Sequence, residues 1–223
     1  MHNYTLRGLL CDLDGTLADS EPLHCTAWLT TLAEDYGITY DEQWFEQWIG
    51  TSDRVLARYV VEKDELSVSE EDLIARKQNR YHEAVAREGK TFAGVDEALS
   101  RIVDQGFPVA IATNSGRKDA DVMIGAAQLD RFTPVSVTAS DVREMKPAPD
   151  IYLLAARKLG LDARECIAIE DSGPGGVAAR AAGCYLIALT DKVTEADERL
   201  PDSASAIRRA LELLRQGGGV HQS

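Results

Sequence analysis

Nowhere in the sequence does an apolar run approach the roughly 18 residues that a membrane-spanning helix requires, and the first residues carry no charged and then apolar leader pattern. A cytoplasmic location is the expectation that follows. Basic residues are also scarce: 24 Lys and Arg stand against 37 Asp and Glu, for a formal net charge of −13, and no basic stripe offsets the excess. A nucleic-acid backbone or an anionic membrane surface is therefore excluded as the expected partner, although a small anion in a locally positive pocket is not. The four cysteines, Cys11, Cys25, Cys166 and Cys184, lack both zinc-site spacing and a Cys-x-x-Cys pair, and they read as reduced, mostly buried thiols. There is no internal repeat. What is present, 223 residues that are 44% hydrophobic, suffices for one good core and a smaller inserted domain.

Two kinds of patterning divide the chain. From about Pro22 to Lys90 the pattern is helical and nearly free of strand signals, with Trp28, Leu29, Leu32 and Ala33 on one apolar face. Ser69-Glu70-Glu71-Asp72 is an acidic first turn before Leu73, Ile74 and Tyr81, and the breaks fall at Gly37, Gly50 and Gly89. From Phe92 onward short apolar runs alternate with helical segments. Strands are expected at Val109 to Ala112, Val135 to Thr138, Ile167 to Ile169 and Tyr185 to Leu189. Helices are expected at Val95 to Gln105, Lys118 to Ala127, Ile151 to Leu159, Gly175 to Ala182 and Ser203 to Leu214. That alternation predicts an α/β fold with a parallel, Rossmann-like sheet covered by helices on both faces. The expected boundaries are a core of residues 1–18 and 91–216, an inserted all-helical domain of residues 19–90, and a disordered tail of residues 217–223. Trp28, Trp44 and Trp48 are read as core of the helical insertion.

The chemistry concentrates where strands end. Leu9-Leu10-Cys11-Asp12-Leu13-Asp14-Gly15-Thr16 sets two aspartates two positions apart at the end of an apolar run, a spacing that points both carboxylates the same way in a strand. Their repulsion is on the order of 4 kcal/mol for charges about 4 Å apart at an effective dielectric near 20. A divalent cation, or two carboxylates with divided roles, relieves it. Thr113-Asn114-Ser115 supplies hydroxyl and amide groups after a second strand, where backbone N–H groups also bind anions. Lys146-Pro147-Ala148-Pro149-Asp150 places a cation on a stiff loop before a helix, and Glu170-Asp171-Ser172 adds two carboxylates ahead of a glycine turn. Singly, each has an ordinary reading as a helix cap, a solvated lysine or an acidic loop. At the carboxyl edge of one parallel sheet they form a metal site beside an anion site.

At these residues the chain resembles the haloacid dehalogenase superfamily, whose signatures appear in order as Asp12-Leu13-Asp14-Gly15-Thr16, Thr113-Asn114, Lys146-Pro147 and Glu170-Asp171-Ser172. The resemblance covers nearly the whole chain and is strongest to sugar-phosphate phosphatases and β-phosphoglucomutases with a helical cap inserted after the first motif. It implies that Asp12 attacks phosphorus and becomes an aspartyl phosphate, while Asp14 protonates the leaving oxygen and then deprotonates water. It further implies Mg2+ held by Asp12, the Asp14 carbonyl and Asp171, with Glu170 contributing directly or through water. Thr113 and Asn114 are expected on the phosphoryl oxygens, and Lys146 against the charge of nucleophile and phosphate. On the substrate side the resemblance places His24, Arg54 and Lys77 in the cap, and Ser115 and Lys118 after the second motif. The expected partner is a small phosphorylated metabolite such as a sugar phosphate, met by a monomer. Relatives often carry proline where this chain has Ala93, before Gly94, which leaves a less rigid return from cap to core.

Two rivals arise from the same residues. Gly173-Pro174-Gly175-Gly176-Val177-Ala178 fits a dinucleotide-binding fingerprint with Asp191 downstream, the mark of a nicotinamide oxidoreductase. That reading sets Glu170 and Asp171 against a pyrophosphate and leaves Asp12, Asp14 and Lys146 without a role. A binding protein on the same fold is the other, and the intact set of nucleophile, acid/base, lysine and metal positions argues against it. Within the enzyme class a phosphatase is favoured over a mutase, because Arg54 is out of clean register with the mutase pattern.

Overall fold

The computed structural model describes residues 5–49 and 51–217. The helix break expected at Gly50 and all of the expected tail except Gly217 lie outside the described residues, while Gly217 itself closes the last helix. The chain divides into two compact units, Ser20–Gly89 and the segments on either side of it.

The inserted unit is helical: α1 (Glu21–Tyr36), α2 (Glu42–Glu46), α3 (Asp53–Lys63) and α4 (Glu70–Glu88). Pro22 sits in the first turn of α1, where its missing N–H costs nothing, and Gly37 ends the helix with φ 69°. The buried stripe of α1 is Leu23, Ala27, Trp28, Thr31 and Leu32. This corrects the expected face, since Leu29 is only half-buried and Ala33 is exposed. Thr31 can enter the stripe because its hydroxyl donates to the Ala27 carbonyl at 2.7 Å, which satisfies the polar atom locally. In α4 the Ser69 side chain accepts from the Asp72 amide, and the buried stripe runs Leu73, Lys77, Tyr81, Ala84 and Val85. Trp28 is fully buried among Leu32, Phe45, Leu56, Val60 and Leu73, with Trp44 and Trp48 packed against that cluster.

The other unit starts with β1 (Gly8–Cys11) and resumes with α5 (Val95–Asp104), β2 (Val109–Ala112), α6 (Arg117–Ala126), β3 (Val135–Val137) and α7 (Asp150–Lys158). It finishes with β4 (Cys166–Glu170), α8 (Gly173–Ala182), β5 (Tyr185–Ala188), β6 (Glu198–Arg199) and α9 (Ser203–Gly217). All neighbouring strands are parallel, in the order β3-β2-β1-β4-β5-β6. Strands buried on both faces need apolar residues at every position, and β1, β2 and β4 are buried throughout. Leu10, paired with Ala110 and Ala168, points into a cluster with Ile151, Tyr152 and Ala155 of α7 and Ala178 and Ala179 of α8. Leu9 and Cys11 alternate to the opposite face, where α9 packs on β4 and α5.

The sheet order reverses at β1. Connections run outward to β2 and β3, then cross to β4 and onward, so the crevice at the carboxyl ends of β1 and β4 is a topological switch point, the usual ligand position in open α/β sheets.

Candidate active site

Asp12 extends the pairing of β1 by one residue, its amide donating to the Ile169 carbonyl at 3.1 Å, and this fixes the carboxylate at the strand end. The chain then turns sharply. Amides of Leu17 and Ala18 both donate to the Leu13 carbonyl, and Gly15 adopts φ 78°, where a side chain would be strained. A Cβ on Gly15 would also lie 2.6 Å from Asp171 Oδ2, so the absence of a side chain there keeps room for that carboxylate.

Lys146 is the hub. Its Nζ, buried with the whole residue at 6% exposure, donates to Asp12 Oδ1 and to Glu170 Oε1, each at 2.5 Å. The loop that carries it is fastened by Asn114, whose Oδ1 accepts from the Lys146 amide at 2.9 Å and whose Nδ2 donates to the Lys146 carbonyl at 3.2 Å. Sequence reasoning places Asn114 on phosphoryl oxygens; in the structure its amide acts as a surrogate strand, tying the end of β2 to the lysine loop. Burial works against the Lys146 charge, yet the Asp12 and Glu170 carboxylates outweigh it and hold the ammonium well above its ordinary range.

Glu170, the fully buried last residue of β4, has both oxygens engaged. Oε1 accepts from Lys146 and from the Tyr152 hydroxyl at 2.7 Å, while Oε2 accepts from the Ser172 hydroxyl at 3.0 Å and the Ser172 amide at 3.3 Å. The glycine turn behind it serves this carboxylate. A Cβ on Gly175 would lie 1.9 Å from Glu170 Oε1, so Gly175 gives the glutamate its space and the fingerprint-like glycines have a local packing reason. Asp171 accepts from the Thr16 hydroxyl at 3.1 Å, and its carbonyl accepts from the Thr190 hydroxyl at 2.5 Å.

Oxygens of Asp12, Glu170 and Asp171 lie within 4.8 Å of one another. Three carboxylates against one ammonium leave an uncompensated negative site, and the proton equilibria register it. Burial, with Glu170 next to it, pushes Asp171 from 3.8 up to about 6. Asp12 is pushed upward as well, first by burial and further by Glu170 and Asp171, with Lys146 opposing. Hard oxygen donors that converge in this way suit a divalent cation such as Mg2+.

A second group of polar residues stands at the end of β2. Thr113 is buried, its amide donates to the Val137 carbonyl at 2.9 Å, and its Oγ1 accepts from the Ser115 amide at 3.0 Å, which leaves the hydroxyl proton available to an acceptor. The Ser115 hydroxyl donates to Asp14 Oδ2 at 2.5 Å, a contact that motif spacing does not disclose. Lys118 is exposed in the first turn of α6.

The remaining candidates belong to the helical unit. His24 stacks on Tyr81 at 4.0 Å, and its Nδ1 is 2.7 Å from Lys77 Nζ. Lys77 is fully buried and donates to both oxygens of Asp53, at 3.0 and 2.9 Å. Arg54 is 63% exposed in its side chain and 3.6 Å from Glu71. Sequence reasoning missed Tyr152, Thr190 and Asp53. Tyr152 and Asp53 sit at ordinary helical positions, and only the fold brings them to a charged partner.

The sequence profile of haloacid dehalogenase-like hydrolases matches residues 9–189, a span that includes Asp12, Asp14, Thr113, Lys146, Glu170 and Asp171. The chain belongs to that family. Protein CbbY of Rhodobacter capsulatus is 32% identical over 94% of this chain and 99% of its own length. Fructose-1-phosphate phosphatase YqaB of Escherichia coli (strain K12) is 31% identical over 79% of this chain and 92% of its own. Among solved structures, CbbY from Rhodobacter sphaeroides in complex with xylulose-(1,5)bisphosphate superposes with a TM-score of 0.75 at 26% identity, covering 89% of this chain and 95% of that one. Among the described residues, no helix is long and apolar enough to cross a membrane.

Proposed function

We propose that this family member is a Mg2+-dependent phosphomonoester hydrolase that acts on a small phosphorylated sugar, or a similar metabolite, through an aspartyl phosphate on Asp12. The observation that carries the reading is the buried cluster at the switch point, in which Lys146 joins Asp12 to Glu170 while Asp171 stands beside them. Asp12 and Asp171 side chains and the Asp14 carbonyl would hold Mg2+, with Glu170 behind them. An ion bound there would offset the charge of the nucleophile and of the incoming phosphate dianion.

The chain's own residues divide the remaining work. Lys146 opposes the upward push on Asp12 and so favours its ionised form at the moment of attack, and Thr113 offers its hydroxyl proton to a phosphoryl oxygen. As the bond from Asp12 to phosphorus forms, the bond from phosphorus to the sugar oxygen breaks, and Asp14 protonates that oxygen. Asp14 then takes a proton from water, which attacks the aspartyl phosphate and releases inorganic phosphate. The names of the relatives support a phosphorylated carbohydrate as substrate. His24, Arg54 and Lys118 are the candidates to meet its distal part, whereas the Lys77 ammonium is held by Asp53.

Phosphate release across a panel of phosphorylated sugars tests the proposal. Turnover of at least one member, lost in Asp12→Asn and in excess chelator, is expected. Full turnover in chelator would overturn the metal assignment, and an active Asp12→Asn protein would overturn the nucleophile. With β-glucose 1-phosphate and a trace of bisphosphate, free phosphate is the expected product; glucose 6-phosphate would make the enzyme a mutase instead.

A further inference from the structure

We propose that Ser115 is the positioning residue of the proton-transfer group, holding Asp14 by one carboxylate oxygen so that proton traffic runs through the other. The inference rests on the phosphatase reading above. Its basis is a 2.5 Å bond from Ser115 Oγ to Asp14 Oδ2, between residues 101 positions apart. Ser115 is itself anchored on two sides. Its amide donates to Thr113 Oγ1 at 3.0 Å, and its carbonyl accepts from the Ala139 amide at 3.2 Å, so the hydroxyl is presented from a fixed backbone.

The chemistry explains what such a bond does. Asp14 must be a carboxylic acid when the sugar oxygen leaves and a carboxylate when water is activated. A hydroxyl that donates to Oδ2 is compatible with both states, since the neutral acid's carbonyl oxygen and the carboxylate oxygen each accept a hydrogen bond. Oδ1 then remains the site that gives up and regains the proton, and the carboxyl plane is fixed through both halves of the cycle. Orientation of this kind is worth most where the leaving group needs the proton, because a misaligned acid forfeits the transition-state stabilisation. The role differs from contact with a distal part of the substrate, which Ser115 would show in KM.

Ser115→Ala and Ser115→Thr proteins, each with Mg2+, are compared with wild type on two substrates. One is p-nitrophenyl phosphate, whose leaving group departs without a proton; the other is an alkyl phosphate, either glycerol phosphate or a hexose phosphate that wild type turns over. Single-turnover formation of the phosphoenzyme is followed for both. In Ser115→Ala the rate with the alkyl phosphate is expected to fall at least tenfold further than the rate with p-nitrophenyl phosphate, with kcat carrying the loss and KM changing less than threefold. Ser115→Thr, which keeps the hydroxyl, is expected to recover most of that difference. An equal loss on both substrates, or a loss confined to KM, overturns the assignment. Absence of phosphatase turnover by the wild-type protein on every substrate would instead strike at the parent reading, so the two failures are distinguishable.

Discussion

At the scale of single residues, the site is a problem in placing negative charge. Asp12, Glu170 and Asp171 share one cluster, the first two buried and the third half-buried, and Lys146 offsets only part of its charge. A pH dependence follows from Asp171, which burial and Glu170 raise from 3.8 to about 6. Because the folded-state value of this acid lies above its unfolded value, its ionisation destabilises the metal-free fold. The penalty is fully present above about pH 6, and it disappears as pH falls toward 3.8. Mg2+ held by Asp171 would have to displace that proton below pH 6 and would meet little competition from it above. Calorimetric titration with Mg2+ is expected to give an affinity that declines at least tenfold per pH unit below 6, Asp12, which is also pushed upward, adding to the fall. A constant affinity down to pH 5 would contradict the assignment of Asp171 as a metal donor.

At the scale of elements, β2, Val109–Ala112, is legible because a short apolar run between turn residues has few alternatives in an α/β chain. Ends were harder, and the causes are side-chain bonds. Helix α8 starts at Gly173, two residues before the expected Gly175, since Ser172 accepts from the Gly175 amide at 3.1 Å and Pro174 fits the first turn. Strand β6, Glu198–Arg199, has no apolar signature at all. It pairs with β5 while Glu198 accepts from the Tyr185 hydroxyl at 2.7 Å and from Arg209 at 2.8 Å. The family motifs are readable in order because three of them stand at strand ends and the fourth, Lys146-Pro147, leads into α7, but their wiring is not. That Asn114 bonds the lysine loop, and that Gly175 makes room for Glu170, depends on distances between loops that spacing does not encode. The glycine yields a test. Gly175→Ala puts a Cβ 1.9 Å from Glu170 Oε1, so the carboxylate or α8 must shift; a loss of about 1–3 kcal/mol is expected, the usual range for overpacking. Chemical denaturation measures it. The same variant should lose activity more than stability, because a displaced Glu170 releases Lys146, and an active, equally stable protein would refute the packing role.

At the scale of the whole molecule, the two units carry their polar interiors separately, and they can be reported separately. All three tryptophans, Trp28, Trp44 and Trp48, lie in the helical unit, whereas the sheet belongs to the other. The helical unit holds the fully buried Lys77, bound to Asp53, which also accepts from Trp28 Nε1 at 2.9 Å and from Gln78 Nε2 at 3.0 Å. Burial alone would raise Asp53, but Lys77, His24 and the Trp28 bond overcome it and leave the carboxyl below its ordinary 3.8. With the folded value depressed, this group's contribution is fully present above the unfolded value and is lost as pH falls below 3.8 through the lower folded one. Truncation of Lys77 strands Asp53, and because Asp53 is 25% exposed and keeps Trp28 and Gln78 as donors, the cost falls below the roughly 3–5 kcal/mol of a fully buried pair. Lys77→Ala is therefore expected to move the tryptophan-fluorescence transition to lower urea by an amount near that cost. Far-UV circular dichroism, which averages both units, should lag behind it and lose the coincidence of probes that marks two-state unfolding. Acidification of the wild-type protein through pH 4 to 2 should weaken the same unit, and the variant, already without the pair, should respond less. Coincident shifts of both probes in Lys77→Ala would mean that the units unfold as one, and the loss of the ion pair would then be felt by the sheet as strongly as by the helices around it.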